Sequence, residues 1–583
     1  MAFPLVGDVL YIILNILADQ RDYNSLYQCA LTARCFTEPA LQVLYRQRNS
    51  STLGHHHFLS RRTSITLAAL RDVKIYSIRK WAKMWRSIVL SALEYTYVPY
   101  YTYIHYLDLE GLQHLLRELY NEDEKEAFFT PEIDDYLSHE YEMKGNRRLR
   151  SSSKSFDKEF VLLTVGSGQF NLALANLRYS PSSSMVLLCH IMTTQHSRRY
   201  LTGYPEQSSV LAEFLQQLPS LQTLRIWSGA SLMDHVGGKT RSNCPDLKKV
   251  TIRSWYAEPP NNADADSEKF LNELRPNTLE CYEMLGCFQL GPRSIRALSS
   301  HWDSLTELKM DSLSITAVAE LLSLTAPPAL KVLVLTDSVG IYDEAFSQSI
   351  DEVANWIRRC KTLQQLELRR FTKDDALLLA KVLPEESLRL SSVSLKDYWI
   401  HEASLFHEAL HQQPSLQYLH LSGKGSNGPE HNDSLFQALS QLTNLRELKL
   451  EDISSGFTTD DVMALTPHLP HLERLWIDGQ YFCDDIWNAF LCLPKLKNLV
   501  ILGRSAFKGK GILDFIDQLG PGNRGFHLAV LKSTNDTNIN DITEHFVRDA
   551  LISKVDGYFD FDWAEGGYLP PPLQFLCLCN AGA

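Results

Sequence analysis

Leu416-Gln417-Tyr418-Leu419-His420-Leu421 is followed by Leu445-Arg446-Glu447-Leu448-Lys449-Leu450 and then by Leu472-Glu473-Arg474-Leu475-Trp476-Ile477. Each stretch puts apolar residues at its first, fourth and sixth positions. Upstream the triplet recurs at Leu221/Leu224/Ile226, Leu247/Val250/Ile252, Leu279/Tyr282/Met284, Leu305/Leu308/Met310, Leu330/Leu333/Leu335, Leu363/Leu366/Leu368 and Leu390/Val393/Leu395, and downstream at Leu496/Leu499/Ile501. Eleven anchors from 221 to 496 make ten steps over 275 residues, a mean of 27.5. At 44% apolar content one triplet arises by chance roughly one time in twelve, so the information lies in the recurrence. The residue between the last two anchors is often polar (Arg225, Thr251, Glu283, Lys309, Glu367, Ser394, His420, Lys449). A short strand with one buried and one solvated face has that alternation.

Between the triplets, Val353–Ile357, Ala376–Leu383, Leu405–Leu410, Leu435–Leu442 and Ile512–Leu519 carry apolar residues at helical spacing. Thr459, ahead of Asp460 and Asp461, reads as a helix start, and Pro470 follows the next apolar stretch. Strand, loop, helix and loop in about 27 residues resembles a leucine-rich repeat of the longer, helix-bearing type. The resemblance implies an α/β solenoid: a horseshoe with a parallel sheet on its concave wall and helices on its convex wall. No such unit buries its apolar side alone, so the array forms one continuous core. A chain of 583 residues, too long for one compact core, is accommodated this way.

Composition narrows the function classes. Lysine and arginine total 57 against 69 acidic residues, a formal charge of −12, which argues against a nucleic-acid coat that neutralises phosphates with excess cations. The apolar run Val9–Leu14 includes no basic leader and is far shorter than the roughly 20 residues a bilayer-spanning helix needs. Eleven cysteines are scattered singly; none forms a paired zinc or disulfide pattern, so a reducing cytoplasmic or nuclear home is expected. Gly423–Gly428 satisfies G-x-G-x-x-G, but Pro429 follows and a repeat loop is due there. Gly509-Lys510-Gly511 lacks the rest of a phosphate-binding loop, and His55–His57 has no acidic or thiol partner at ligand spacing. No catalytic residue, metal site or cofactor is expected, and the chain is read as a non-enzyme.

The first 48 residues follow a different pattern. Leu5, Val9, Leu10, Ile13, Leu14 and Leu17 fall at helical spacing; Asp22 precedes Leu26, Cys29, Ala30, Ala33 and Phe36; Pro39 opens a third piece with Leu41 and Leu44. Three helices this short cannot enclose a sufficient core, so their surplus apolar surface must meet something else. The segment resembles an F-box: Leu5-Val6-Gly7-Asp8-Val9-Leu10, Ile13-Leu14-Asn15-Ile16-Leu17, Asp22, Leu26, Cys29, Phe36 and Leu44-Tyr45-Arg46 stand where that family has its motif residues, with Val6 at the usual proline and Asp8 at the usual glutamate. With Tyr103–Leu109, Gly511–Ile516, Gly520–Asn523 and Val555–Phe561, the whole chain is similar to fungal F-box proteins with degenerate leucine-rich repeats.

The expected organisation is an F-box-like helical domain over 1–48, then a linker and N-terminal repeat or cap region over 49–159 with an exposed insertion near 122–158. A leucine-rich-repeat solenoid follows over 160–561 and an atypical tail over 562–583. Ile104/Leu107/Leu109 and Leu573/Leu576/Leu578 repeat the triplet spacing at the two ends. The resemblance implies the substrate-recognition subunit of a Skp-cullin-F-box ubiquitin ligase. Leu5, Val9, Leu10, Ile13, Leu14, Leu17 and Leu26 would divide between the module's own core and a Skp-type adaptor, and through it a cullin-RING complex. A target protein would meet the strand wall, with Trp227, Lys309, Arg369, Tyr418, His420, Lys449 and Trp476 as the expected contacts, since aromatic residues and arginine dominate measured hot spots. The alternative is a repeat scaffold or regulatory binder unconnected to ubiquitin, whose N-terminal helices cap the solenoid.

Overall fold

In a computed structural model of the chain, the described residues are 7–19, 23–45, 67–92, 95–97, 106–108, 115, 119, 122–134, 185–189, 215, 221–233, 235–255, 262–286, 290–337, 350–423, 432–453, 457–479, 482–503, 505, 507–533, 539 and 541–563. The chain divides into two units: Met1–Leu378 with Glu385–Arg389, and Leu379–Pro384 with Leu390–Ala583. Both are α/β solenoids of the leucine-rich-repeat type.

The first unit opens with three helices, α1 (Gly7–Asp19), α2 (Tyr23–Thr32) and α3 (Arg34–Tyr45). A long helix, Leu67–Ala92, packs against the short helix Glu122–Phe128. Ala127, Phe128 and Ile133 are buried, so the start of the segment expected to be an exposed insertion is folded; an apolar end on an acidic helix anchors it. The strands are β1 (Tyr106–Asp108), β2 (Met185–Cys189), β3 (Leu221–Ser228), β4 (Lys249–Ser254), β5 (Cys281–Met284), β6 (Glu307–Asp311), β7 (Val332–Thr336) and β8 (Gln365–Arg369). They pair in parallel, each with the next. The second unit repeats this with β9 (Ser392–Tyr398), β10 (Tyr418–Gly423), β11 (Glu447–Glu451), β12 (Arg474–Asp478), β13 (Asn498–Leu502), β14 (His527–Ser533) and β15 (Tyr558–Trp563).

The leucine triplets set the register. Leu224, Val250, Tyr282, Leu308, Leu333 and Leu366 are successive cross-strand partners in the first unit. Val393, Leu419, Leu448, Leu475, Leu499, Leu528 and Phe559 form the matching row in the second. All thirteen are buried. A one-residue slip would turn the whole row to solvent, which is why the pairing is so regular. Helices at Ile350–Arg359, Asp375–Val382, Ser404–Leu410, Asn432–Gln441 and Gly509–Gln518 occupy the predicted segments. At Thr459–Leu465 the cap is Thr458, one residue before the expected start: its hydroxyl accepts from the Asp461 amide while the Asp461 carboxylate accepts from the Thr458 amide.

Ahead of four strands a polar residue ties its repeat to the one before. Ser304 Oγ donates to the Leu279 carbonyl at 2.6 Å, Thr362 Oγ1 to Leu330 at 2.8 Å, Ser415 Oγ to Leu390 at 2.9 Å and Asn523 Nδ2 to Leu496 at 2.8 Å. These bonds satisfy carbonyls that the turn would otherwise strand away from water. After the strands the chain turns sharply, with Ser312, Arg370 and Asp452 at φ of 58°, 53° and 52° and Gly503 at 118°. At Gly503 a Cβ would lie 2.1 Å from the Gly479 carbonyl oxygen, so only glycine fits.

Two buried histidines give this fold a pH dependence. His407 is enclosed, with Nδ1 2.9 Å from Ser434 Oγ and Nε2 3.3 Å from Tyr398 Oη, and burial lowers its pKa to about 4. Burial likewise takes His301 to about 4. Both stay neutral in the folded chain while an unfolded histidine takes up its proton near pH 6.5. Their contribution is therefore complete above pH 6.5 and is lost as pH falls toward 4, about 3 kcal/mol for each. In the first unit Asp375 opposes this: burial raises its carboxyl from 3.8 to about 6, so the folded form gains stability by protonation over part of the same window. Among the described residues of the second unit, no carboxyl raised in this way offsets His407. Thermal melting of that unit is expected to fall steeply between pH 6.5 and 4.5, and His407→Gln to flatten the slope; equal slopes in both proteins would contradict this.

Candidate interaction surfaces

The N-terminal module has a small core of its own. Leu14, Leu26, Ala30, Ala40, Leu41 and Val43 are buried, with Leu17, Ala18, Cys29 and Leu44 packed around them. Leu10 is buried as well. Positions 10, 14 and 17 thus form the inner stripe of α1. A second stripe runs along the same helix on the outside: Val9 (41% exposed), Ile12 (57%), Ile13 (40%) and Ile16 (48%), spaced i, i+3, i+4 and i+7. Tyr27 (51%) and Leu31 (64%), four apart on α2, are also bare. With Tyr11 (39%), seven large side chains are left exposed on so small a module, and four of them keep one helical spacing, which scattered exceptions would not.

The structure thereby sorts the expected adaptor set. Leu10, Leu14 and Leu26 are core residues, Leu17 lies against the core, Val9 and Ile13 face outward, and Leu5 lies outside the described residues. Ile12, Ile16, Tyr27 and Leu31 lie outside the expected adaptor set. Their signal was available: two apolar stripes on one helix exceed what one core absorbs.

The solvent faces of the strands form an ordered grid because side chains two apart along a strand share a face. In the second unit, Ser394, His420, Lys449 and Trp476 stand side by side on β9 to β12. Lys449 Nζ lies 2.8 Å from Glu451 and 4.5 Å from the Trp476 ring centroid. His420 Nε2 is 3.0 Å from Glu451 Oε2, and Arg474 pairs with Glu447 at 2.7 Å. Burial raises the Glu451 carboxyl, but Lys449 and His420 outweigh it and hold the group below its usual range. Further along, His527 stacks on Tyr558 at 4.0 Å and faces Asp560 at 3.1 Å. Tyr418 is half-buried on the same face. Of the expected contacts, His420, Lys449 and Trp476 are brought together.

In the first unit the grid has three rows: Lys249, Cys281, Glu307, Val332 and Gln365; then Thr251, Glu283, Lys309, Val334 and Glu367; then Asp311, Thr336 and Arg369. Lys309 is 3.6 Å from Glu307 and 3.9 Å from Glu283, and Lys249 is 3.4 Å from Glu307. Burial raises Glu307, yet Lys249 and Lys309 hold it below the usual carboxylate range. A groove of about 500 Å³ opens over β5 to β8. Arg369 is exposed at its edge, and the Trp227 side chain lies outside the described residues.

No protein-family model matches the sequence. No curated protein matches it either. Solved structures align with it at low similarity. The Rad7 and Elc1 complex of yeast contains a chain 14% identical, with a TM-score of 0.36, over 51% of this chain and 73% of that one. An internalin of Listeria monocytogenes is 14% identical with a TM-score of 0.32, over 61% of this chain and 94% of its own.

The described glycines of the two glycine motifs are tightly packed. At Gly423 a Cβ would meet the Asp452 carbonyl oxygen at 2.4 Å, and at Gly511 it would meet Asp484 at 2.4 Å. Both glycines admit close neighbours; residues 424–428 and His55–His57 lie outside the described residues. Burial pushes the thiols of Cys244, Cys281 and Cys360 up to about 12, far from the thiolate a nucleophile needs. Among the described residues, no cluster of three or more His, Cys, Asp or Glu could hold a metal ion, and no helix is long and apolar enough to cross a membrane.

Proposed function

We propose that the chain is the substrate-recognition subunit of a Skp-cullin-F-box ubiquitin ligase, acting in the cytoplasm or nucleus and contributing no catalytic group. The observation that supports this is the two-sided α1: Leu10, Leu14 and Leu17 complete the module, while Val9, Ile12, Ile13 and Ile16 remain uncovered. Each large apolar side chain fully buried against a partner adds roughly 1.5–3 kcal/mol, so an apolar adaptor groove over this stripe gains enough to hold the subunit. The repeat strands then present a target protein to the conjugating enzyme, and catalysis is by proximity. The F-box resemblance names the adaptor as Skp-type.

Co-expression with a Skp-type adaptor tests the reading. The wild-type chain is expected to carry the adaptor through affinity purification, and Ile12→Asp with Ile16→Asp to lose it while melting as the wild type does. Absence of the adaptor from the wild-type preparation would instead leave a repeat protein unconnected to ubiquitin, and retention by the double variant would show that the outer stripe of α1 is not the adaptor's site.

A further inference from the structure

The solvent-facing wall of the second unit changes character along the sheet. From β9 to β11 its middle row is polar, with Ser394, His420 and Lys449; from β12 to β14 it is Trp476, Val500 and Ala529. The next row continues the apolar run with Leu502 and Leu531, cross-strand partners on β13 and β14. Trp476, Leu502 and Leu531 are half-buried, and the shorter Val500 and Ala529 are buried among their neighbours. Five apolar side chains on three adjacent strands thus share one face. The strands before them keep these positions polar, so the patch points to an occupant.

The charges around the patch are engaged within the chain. Lys449 pairs with Glu451, Arg474 pairs with Glu447, and Asp560 faces His527; Asp478, opposite Leu502, has a partner as well. A charged occupant would have to break these pairs, whereas an uncharged one leaves them intact. Residues 564–583 continue the chain from the end of β15 and lie outside the described residues. From Gly566 to Ala583 they contain no Asp, Glu, Lys, Arg or His, yet include Tyr568, Leu569, Leu573, Phe575, Leu576 and Leu578. Trp563 pairs with Ser533, two residues beyond Leu531 on the same strand, so the tail leaves the sheet beside the patch.

We propose that the tail folds back on this patch, with residues 569–573 lying across Trp476, Val500 and Leu531. Gly566-Gly567 supplies the sharp turn that a reversal needs. Residues 570–572 are all proline and have no N–H to give to a strand ladder, so this stretch covers side chains instead of extending the sheet past β15. Consecutive prolines favour an extended helix of about 3.1 Å per residue, and such segments dock on aromatic side chains. Leu569 to Leu573 then spans about 12 Å, against about 10 Å from β12 to β14. Trp476 is one of the expected target contacts, so the tail competes with a target for it. The contact involves neither the adaptor nor its site on α1.

Chymotrypsin digestion of the full chain, followed by mass spectrometry at Tyr568 and Phe575, is the test. Cleavage at both sites is expected to be at least about tenfold slower than in a free peptide of residues 564–583. Trp476→Ala with Leu531→Ser removes the surface of the patch and is expected to raise cleavage to the peptide's rate. Leu569→Asp with Leu573→Asp, which alters no residue of the folded repeats, is expected to reach the rate of a peptide carrying the same changes. Equal rates in the peptide and the wild-type chain would overturn the proposal. So would protection that survives either pair of substitutions, the result expected if residues 573–578 formed a further strand beside β15. Protection lost on dilution would assign the patch to a second copy's tail and overturn it too. Ile12→Asp leaves these rates unchanged, so failure of the adaptor reading and failure of this one are read separately.

Discussion

Leu14→Asp is expected to open the N-terminal helical module, whereas Ile12→Asp leaves it closed. The two residues are both apolar and lie two apart on α1, but Leu14 is fully buried and Ile12 is 57% exposed. An aspartate at 14 must either bury a charge with no partner or protonate against its ordinary preference, and either route costs several kcal/mol. A core of about ten side chains in a segment this short has no such margin. Chymotrypsin cleavage after Tyr27 and Leu31 in the full chain reads the opening. Leu14→Asp should accelerate it on the order of a hundredfold, in line with a loss of about 3 kcal/mol, and Ile12→Asp should leave it near the wild-type rate. Equal protection in both variants would show that the inner stripe is not what closes the module.

The second large effect is expected from the leucine row. Leu448 is fully buried on β11 with Leu419 and Leu475 as its cross-strand partners. Leu448→Ala removes contacts on both sides and leaves a cavity between repeats, at a cost of about 2–5 kcal/mol. Because each repeat is stabilised by its neighbours, the loss spreads beyond one unit of sequence. Lys449→Ala, the adjacent residue, breaks only a partly exposed pairing with Glu451 and a contact with Trp476, worth about 1 kcal/mol or less. Denaturant unfolding of the two variants side by side measures the contrast. A smaller shift for Leu448→Ala than for Lys449→Ala would mean that the inward and outward faces of the strand are reversed.

How much of this was legible in the sequence depended on whether one template suited each repeat. From β3 to β13 the strands carry all three apolar anchors and were readable. Strands β14 and β15 escaped the template because the first anchor is replaced: Gly525 and Asp556 stand three residues before Leu528 and Phe559, and both adopt left-handed backbone (φ 75° and 55°). A turn that needs that conformation excludes leucine. Strand β2 has Leu187 and Cys189 opposite Leu224 and Ile226, but a register shift after Met185 sets that residue opposite Leu221, so its first two anchors are two residues apart instead of three. The helix Leu67–Ala92 had a readable inner face, Ile78, Ala82, Trp85 and Val89, which no repeat-length search would isolate.

The interaction surfaces were less legible than the fold. Sequence periodicity separates apolar from polar positions on one helix, but assigning two apolar stripes to inside and outside requires the packing of α2 and α3. Hence Leu10, Leu14 and Leu26 could be grouped with Val9 and Ile13 until the core was seen. The groove over β5 to β8 is lined by side chains from neighbouring strands, each from a different repeat. Lys309, expected as a contact on its own, is one of its lining residues, and Arg369 stands at its edge.

Calorimetric titration of a purified Skp-type adaptor into the full-length chain tests most directly whether the outer stripe of α1 is a partner's site. A saturable one-to-one association is predicted, with the negative heat-capacity change of apolar burial, and with no measurable heat once Ile12 and Ile16 are both aspartate. An association that persists in that double variant, or none with the wild-type chain, would contradict the account.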